Sequence, residues 1–256
     1  MGDTPFVSRL RAALAADDLA PGTVQRTLID ATQFEVWLAG TTGQGIDPDN
    51  LQESMYDVLV HRMPIRQVIR KREIDIACAS IDLAGAEIAM STMIGRERAL
   101  QKALAEVGED YDFVCIDTPP SLGLLTINAL TAAHTVIVPV QCEYLSMRGL
   151  IQLQNTLQMI RENLNPDVTI EGILPTLMDA RTVHAKEAIE ILEENFGDRV
   201  FASRIRKTIR FAEAPVKGMS VLKYDPDGVA AQSYRDLATE LLSKTQNQEV
   251  TLDGQL

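Results

Sequence analysis

The sequence predicts an α/β protein, a mostly parallel sheet with helices on both faces. Three observations predict it. Apolar strand segments alternate with helical segments of about 10 to 18 residues, the rhythm of a covered parallel sheet. Phe113–Ile116, Val136–Val140 and Ile170–Leu174 are continuously apolar and flanked by polar turns, as strands buried on both faces are. The first of these runs into Asp117. A carboxylate at the carboxyl end of a hydrophobic strand is where an α/β nucleotide-binding fold holds Mg²⁺.

Taken in order, residues 1–40 stand apart as an atypical, mainly helical segment. Leu10 and Leu14 share a face across Ser8–Asp17, and Ala20-Pro21-Gly22 breaks that helix. Thr23 is placed to cap a second helix carrying Val24 and Leu28. Gln33–Ala39, with Trp37 as a core anchor, reads equally as the end of that helix or as a strand. After the turn-rich TTGQGIDPDN come short amphipathic helices at 50–60 and 64–70, a strand at 74–79 and a helix at 96–107. Strand 112–116, helix 122–132, strand 135–140 and a long helix 146–163 follow. The remainder reads as strand 169–174, helix 183–196, strand 199–203, a short helix near 209–214, strand 220–222 and helix 227–243. The main domain is therefore 41–244, and 245–256 is a polar, acidic, flexible tail.

Composition narrows the class. The chain is 46% hydrophobic with a net charge of −12, an ordinary globular balance. No apolar run approaches the roughly 20 residues of a membrane span. The N-terminus lacks a secretory core, and Phe6 spoils a myristoylation match. A cytoplasmic location is expected. Cys78, Cys115 and Cys142 have no metal spacing and read as buried free thiols. His61, His134 and His184 lie far apart and are assigned no chemistry.

From Thr41 to Leu242 the chain resembles the ParA/Soj partition ATPases, relatives of MinD, of the deviant P-loop class. The resemblance lies in TTGQGIDPDNLQESMYDVL, SIDLAGAEIAM, IGRERALQKAL, YDFVCIDTPPSLGLLTINAL, VIVPVQCEYLSMRGL, IRENLNPDVTIEGILPTLMDART, IRFAEAPVKGMSV and YRDLATELL, in family order. It implies ATP and Mg²⁺ as cofactors, ATP-dependent homodimers, non-specific DNA binding, a ParB-like partner and a nucleoid-associated location. It also implies that Asp117 is the Walker B acid, touching Mg²⁺ through water, and that Thr118, Pro119, Pro120 and Ser121 form the loop that senses the γ-phosphate. On the residues alone, Asp117 also reads as a cap for the next loop and Thr118–Ser121 as a rigid strand-to-helix turn.

The departure is at the N-terminus, where the family carries a lysine-bearing glycine loop. The first lysine here is Lys71, and no glycine loop ends in Lys-Ser or Lys-Thr. Gly40, Gly43 and Gly45 without a lysine are no substitute. The cradle of backbone amides and its lysine supply most of the attraction for a triphosphate, so this chain is expected to lack hydrolysis. The family's central strand would be missing too. Gln33–Ala39 is expected to fill part of that gap, or the chain to be only marginally stable.

Arg204, Arg206, Lys207, Arg210 and Lys217, with Lys223 beyond, form a basic cluster in an acidic chain. The resemblance places the DNA-binding surface here, and phosphate contacts need only flexible cations on one face. The competing reading is a solvated face balanced by Glu213 and Asp225. Arg206 also stands where the family has a proline lining the adenine site. Arg66, Arg70, Lys71 and Arg72 read as a solvated helix face. A MinD-like membrane cycle is excluded because TQNQEVTLDGQL has no basic residue to meet anionic lipid. Two functions remain: a DNA-partition protein, or a non-catalytic interaction protein on the same scaffold.

Overall fold

The structure is a computed structural model describing residues 27–30, 51–71, 74–119, 121–142, 147–179 and 181–253. Its strands are β1 (Thr27–Asp30), β2 (Ile69–Lys71), β3 (Asp75–Ala77), β4 (Cys115–Thr118), β5 (Thr135–Gln141) and β6 (Thr169–Thr176). Its α-helices are α1 (Met55–Val60), α2 (Ile65–Val68), α3 (Ala86–Ala89), α4 (Ala99–Ala105), α5 (Leu124–Ala132), α6 (Met147–Asn163), α7 (Val183–Phe196), α8 (Arg210–Val216), α9 (Val221–Tyr224) and α10 (Val229–Asp253). Among the described residues, one sheet has the order β4-β1-β5-β6, and every pairing in it is parallel. β2 and β3 form a separate antiparallel pair.

Helices cover both faces of the sheet, as the unbroken apolar strands require. Val136, Val138 and Val140 of β5 enter one core with Ala129, Leu130, Leu157, Ile160 and Leu192. Their neighbour Ile137 enters the opposite core with Leu174, Phe201, Ile205, Leu237 and Leu241. Successive strand residues point to opposite faces, so both sets are buried only if α5, α6 and α7 pack on one side and α10 on the other. Burying each such side chain stabilises the fold by about 1.5–3 kcal/mol.

Five expectations are corrected. Thr27–Asp30 is not helical; it lies at the centre of the sheet, pairing with Cys115–Thr118 on one side and Thr135–Ile137 on the other. A β-branched, apolar segment gains two hydrogen-bonded ladders there, which outweighs its weak helical pattern. The gap is thus filled by this segment, and Gln33–Ala39 lies outside the described residues. β4 spans Cys115–Thr118 rather than 113–116, and Phe113 and Ile116 are only half-buried. Its register against β1 pairs Asp30 with Thr118 and so carries the strand past Asp117.

Residues 199–203 make no full strand. Isolated parallel bridges join Ile173 to Val200 and Met178 to Arg206. Pro175 supplies an acceptor for the Ile205 amide at 3.0 Å but has no N–H to give back, so the ladder is broken there. Residues 221–224 are helix, because Ser220 Oγ accepts from the Lys223 amide at 3.3 Å and caps a turn. The C-terminal helix continues to Asp253, beyond the expected end near 243.

Candidate functional site: a strand-end carboxylate and a basic edge

Asp117 lies inside β4, one residue before Thr118, which is itself buried. The Asp117 Oδ1 atom is sealed from solvent. Burial pushes the Cys115 thiol well up, and the Asp117 carboxylate nearby adds to that rise. Cys115 is half-buried rather than buried, whereas Cys78 and Cys142 are buried; all three are free thiols.

The loop after Asp117 is fixed from its far end. Thr126 Oγ1 donates to the Ser121 carbonyl at 2.5 Å. Gly123 begins α5 without a capping side chain of its own. Glu87 of α3 supplies an acceptor instead, taking the Leu125 amide at 3.2 Å. Fully buried Asn128 ties α5 to the start of α4: its amide donates to Arg96 O at 2.8 Å and Leu124 O at 3.0 Å, and its oxygen accepts from Leu100 N at 3.1 Å. Pro119 and Ser121 flank Pro120, which lies outside the described residues.

The donor set fits one half of a nucleotide site. Asp117 with Thr118 suits a water-mediated Mg²⁺ contact. A triphosphate also needs a cradle of amides and a lysine, and the 256 residues contain no such loop. Among the described residues, no three His, Cys, Asp or Glu side chains group as metal ligands.

The basic cluster divides when its ion pairs are traced. Val200–Lys207 runs along the β6 edge, and α8 follows. Arg204 pairs with Glu193 of α7 at 2.9 Å and is mostly covered. Arg210 pairs with Glu213 at 2.7 Å and Asp225 at 3.1 Å and lies over the Tyr224 ring. These two arginines are spent on neighbouring carboxylates, as the solvated-face reading foresaw for Glu213 and Asp225. Arg206, Lys207 and Lys217 are exposed. Exposed Ile209 and Val216 stand among them.

The edge segment is anchored by a residue that motif reading missed. Glu240 of α10 accepts from Ala202 N at 2.7 Å, Ser203 N at 2.8 Å and Ser203 Oγ at 2.7 Å. Burial alone would raise its pKa; these bonds outweigh that and leave it lowered. Sequence spacing gave no signal, since the partners are 37 and 38 residues apart. Asn128 did leave a signal, as an amide amid the apolar run of a helix. In the other cluster, Arg66 pairs with Asp110 at 2.6 Å and Arg70 donates to Gln67 O at 2.7 Å. Arg72 and Trp37 lie outside the described residues.

Parallel strands with two covered faces and an acid near a strand end define the class as an α/β fold, and its solved neighbours are of the P-loop ATPase type. An AAA-domain family model matches residues 28–170, so the match begins within β1 rather than at Thr41. The chain is 43% identical over 204 residues to the sporulation initiation inhibitor protein Soj of Bacillus subtilis, covering 78% of this chain and 81% of that one. It is 37% identical over 247 residues to the chromosome partitioning protein ParA of Myxococcus xanthus, covering 95% and 84%. The chain belongs to the ParA/Soj family of chromosome-partitioning proteins.

A solved structure titled cobyrinic acid a,c-diamide synthase, from Mycobacterium smegmatis with bound ADP and magnesium, superposes with a TM-score of 0.72 at 32% identity, over 87% of this chain and 96% of that one. The cell-division ATPase MinD of Pyrococcus furiosus shares the fold, with a TM-score of 0.62 at 17% identity over 91% and 90%. No helix among the described residues is long and apolar enough to cross a membrane.

Proposed function

We propose that this chain acts in DNA partitioning by holding DNA non-specifically through the β6-edge segment and α8, and by meeting a ParB-like partner, without hydrolysing ATP itself. One observation carries the DNA reading. Arg206 and Lys207 are exposed on a segment that Glu240 and the sheet edge hold in place, and Lys217 is exposed at the end of α8, which follows it. Exposed cations on a fixed backbone are what sequence-independent phosphate contact requires. The absence of a lysine-bearing glycine loop from the sequence supports the second half of the proposal. On this reading Asp117 and Thr118 are the remnant of an inherited Mg²⁺ site.

The test compares wild type with Arg206→Ala/Lys207→Ala/Lys217→Ala on random-sequence duplex at low salt. Binding by wild type and its loss in the variant support the proposal. Equal affinity removes this surface from the DNA reading. A second reading, a non-catalytic interaction protein on the same scaffold, is favoured by the commitment of Arg204 and Arg210 to carboxylates. It predicts that neither protein binds the duplex.

A further inference from the structure

Glu87 reaches across to a helix it does not belong to. It sits on α3, whose flanking residues Ala86 and Met90 are wholly buried, so the backbone that carries it is fixed. Its Oε1 accepts the Leu125 amide at 3.2 Å. The same carboxylate lies on the open face of Gly123: a Cβ there would collide with Glu87 Oε1 and Cδ. Gly123 has φ −87 and ψ −168, a conformation open to any L-residue. A side chain at 123 would therefore push the Glu87 carboxylate, the movable end of its side chain, off the Leu125 amide.

A helix N-terminus needs an acceptor for its first amides. α5 has none from its own N-cap residue, Gly123. Glu87 provides it from another element, and its negative charge suits the positive end of the helix. The loop between Asp117 and α5 is thus clamped at its downstream end by α3.

We propose that Glu87 is a positioning residue for Ser121–Gly123 at the start of α5, and that Gly123 is small enough to admit its carboxylate. The functional weight of this clamp rests on the family resemblance, in which this turn senses the γ-phosphate, and not on nucleotide binding by this chain. The clamp itself is testable without nucleotide or DNA, so its failure is separable from failure of the DNA proposal.

The test uses the full chain and reads amide exchange by NMR together with thermolysin cleavage. In Glu87→Ala, exchange at Leu125 should rise at least about tenfold and cleavage in the 121–125 segment should quicken, while Ile137 and Val138 in β5 keep their protection. Glu87→Gln retains a side-chain oxygen acceptor and should restore most of the Leu125 protection. Gly123→Ala should displace the carboxylate and raise Leu125 exchange in wild type, as Glu87→Ala does. It should add little to that exchange in the Glu87→Ala background, where the collision is gone. Unchanged exchange at Leu125, equal loosening of β5, or the same further rise on Gly123→Ala in both backgrounds would each overturn the proposal.

Discussion

The ring of Phe201 lies directly against the backbone of Gly172, so that a Cβ at position 172 would fall 2.5 Å from the ring edge and 2.8 Å from Arg199 O. Gly172 is in β6, opposite Ile137 of β5, at a register shift that leaves Glu171 extra in the ladder. Phe201 is fully buried and begins the segment that carries Arg206 and Lys207. Gly172→Ala is therefore expected to destabilise the protein by about 1–3 kcal/mol through overpacking and to displace the basic edge. Urea unfolding and DNA affinity, measured together, check it. A stable variant with normal binding would show that the ring moves aside freely.

Asn128→Ala should be among the most damaging changes on α5. It leaves Leu100 N without its acceptor inside the core and Arg96 O without its donor at the core's margin. The expected cost is about 2–4 kcal/mol, from one orphaned buried group, one half-buried one and a small cavity. Asn128→Asp should be no milder, because it restores the acceptor for Leu100 but buries a charge against two carbonyls. Denaturant midpoints for the two variants are the measurement.

The fold was legible in the sequence where one segment decides its own state. The apolar runs of β5 and β6 and the helices at 147–163 and 183–196 were read within a residue or two, since their periodicity and length leave little choice. Thr27–Asp30 was misread because its four residues carry no strong pattern and become a strand only between two others. Residues 200–207 and 221–224 failed for the same reason: Pro175 and the Ser220 cap decide them from outside the apolar pattern. At the site, Asp117 and the basic residues were visible as motifs. Glu87 and Glu240 were not, because each meets its partners 37 or 38 residues away in sequence.

Glu240 gives the edge segment an acid dependence. Its pKa in the folded protein is lowered below the ordinary carboxylate value of 4.5. The bonds to Ala202 and Ser203 thus stabilise the protein fully above about pH 4.5, and that contribution is lost as pH falls through the lowered value. Glu240→Gln should lower stability at pH 7 and flatten its decline between pH 5 and 3, readings taken by urea titration. A decline as steep as that of wild type would mean that other carboxylates govern acid unfolding.

ATP turnover by this chain should be negligible, and Asp117→Ala should change nothing measurable in a steady-state phosphate-release assay. Turnover that vanishes on that substitution would show that the 256 residues build a phosphate site from groups other than a lysine-bearing glycine loop.

The central claim is that DNA is held by a fixed strip of cations and is not gated by nucleotide. Fluorescence anisotropy of random-sequence duplex, titrated across a salt series with and without Mg·ATP, tests it most directly. Arg206, Lys207 and Lys217 allow two or three phosphate contacts, so the log–log salt slope should lie at about −2 to −3. The dissociation constant should sit near the 10⁻⁴ M end of the non-specific range, of order 10⁻⁴–10⁻⁶ M, and Mg·ATP should leave both quantities unchanged. Tightening by tenfold or more on adding Mg·ATP, with a steeper slope, would contradict the claim and place a working nucleotide switch in this chain.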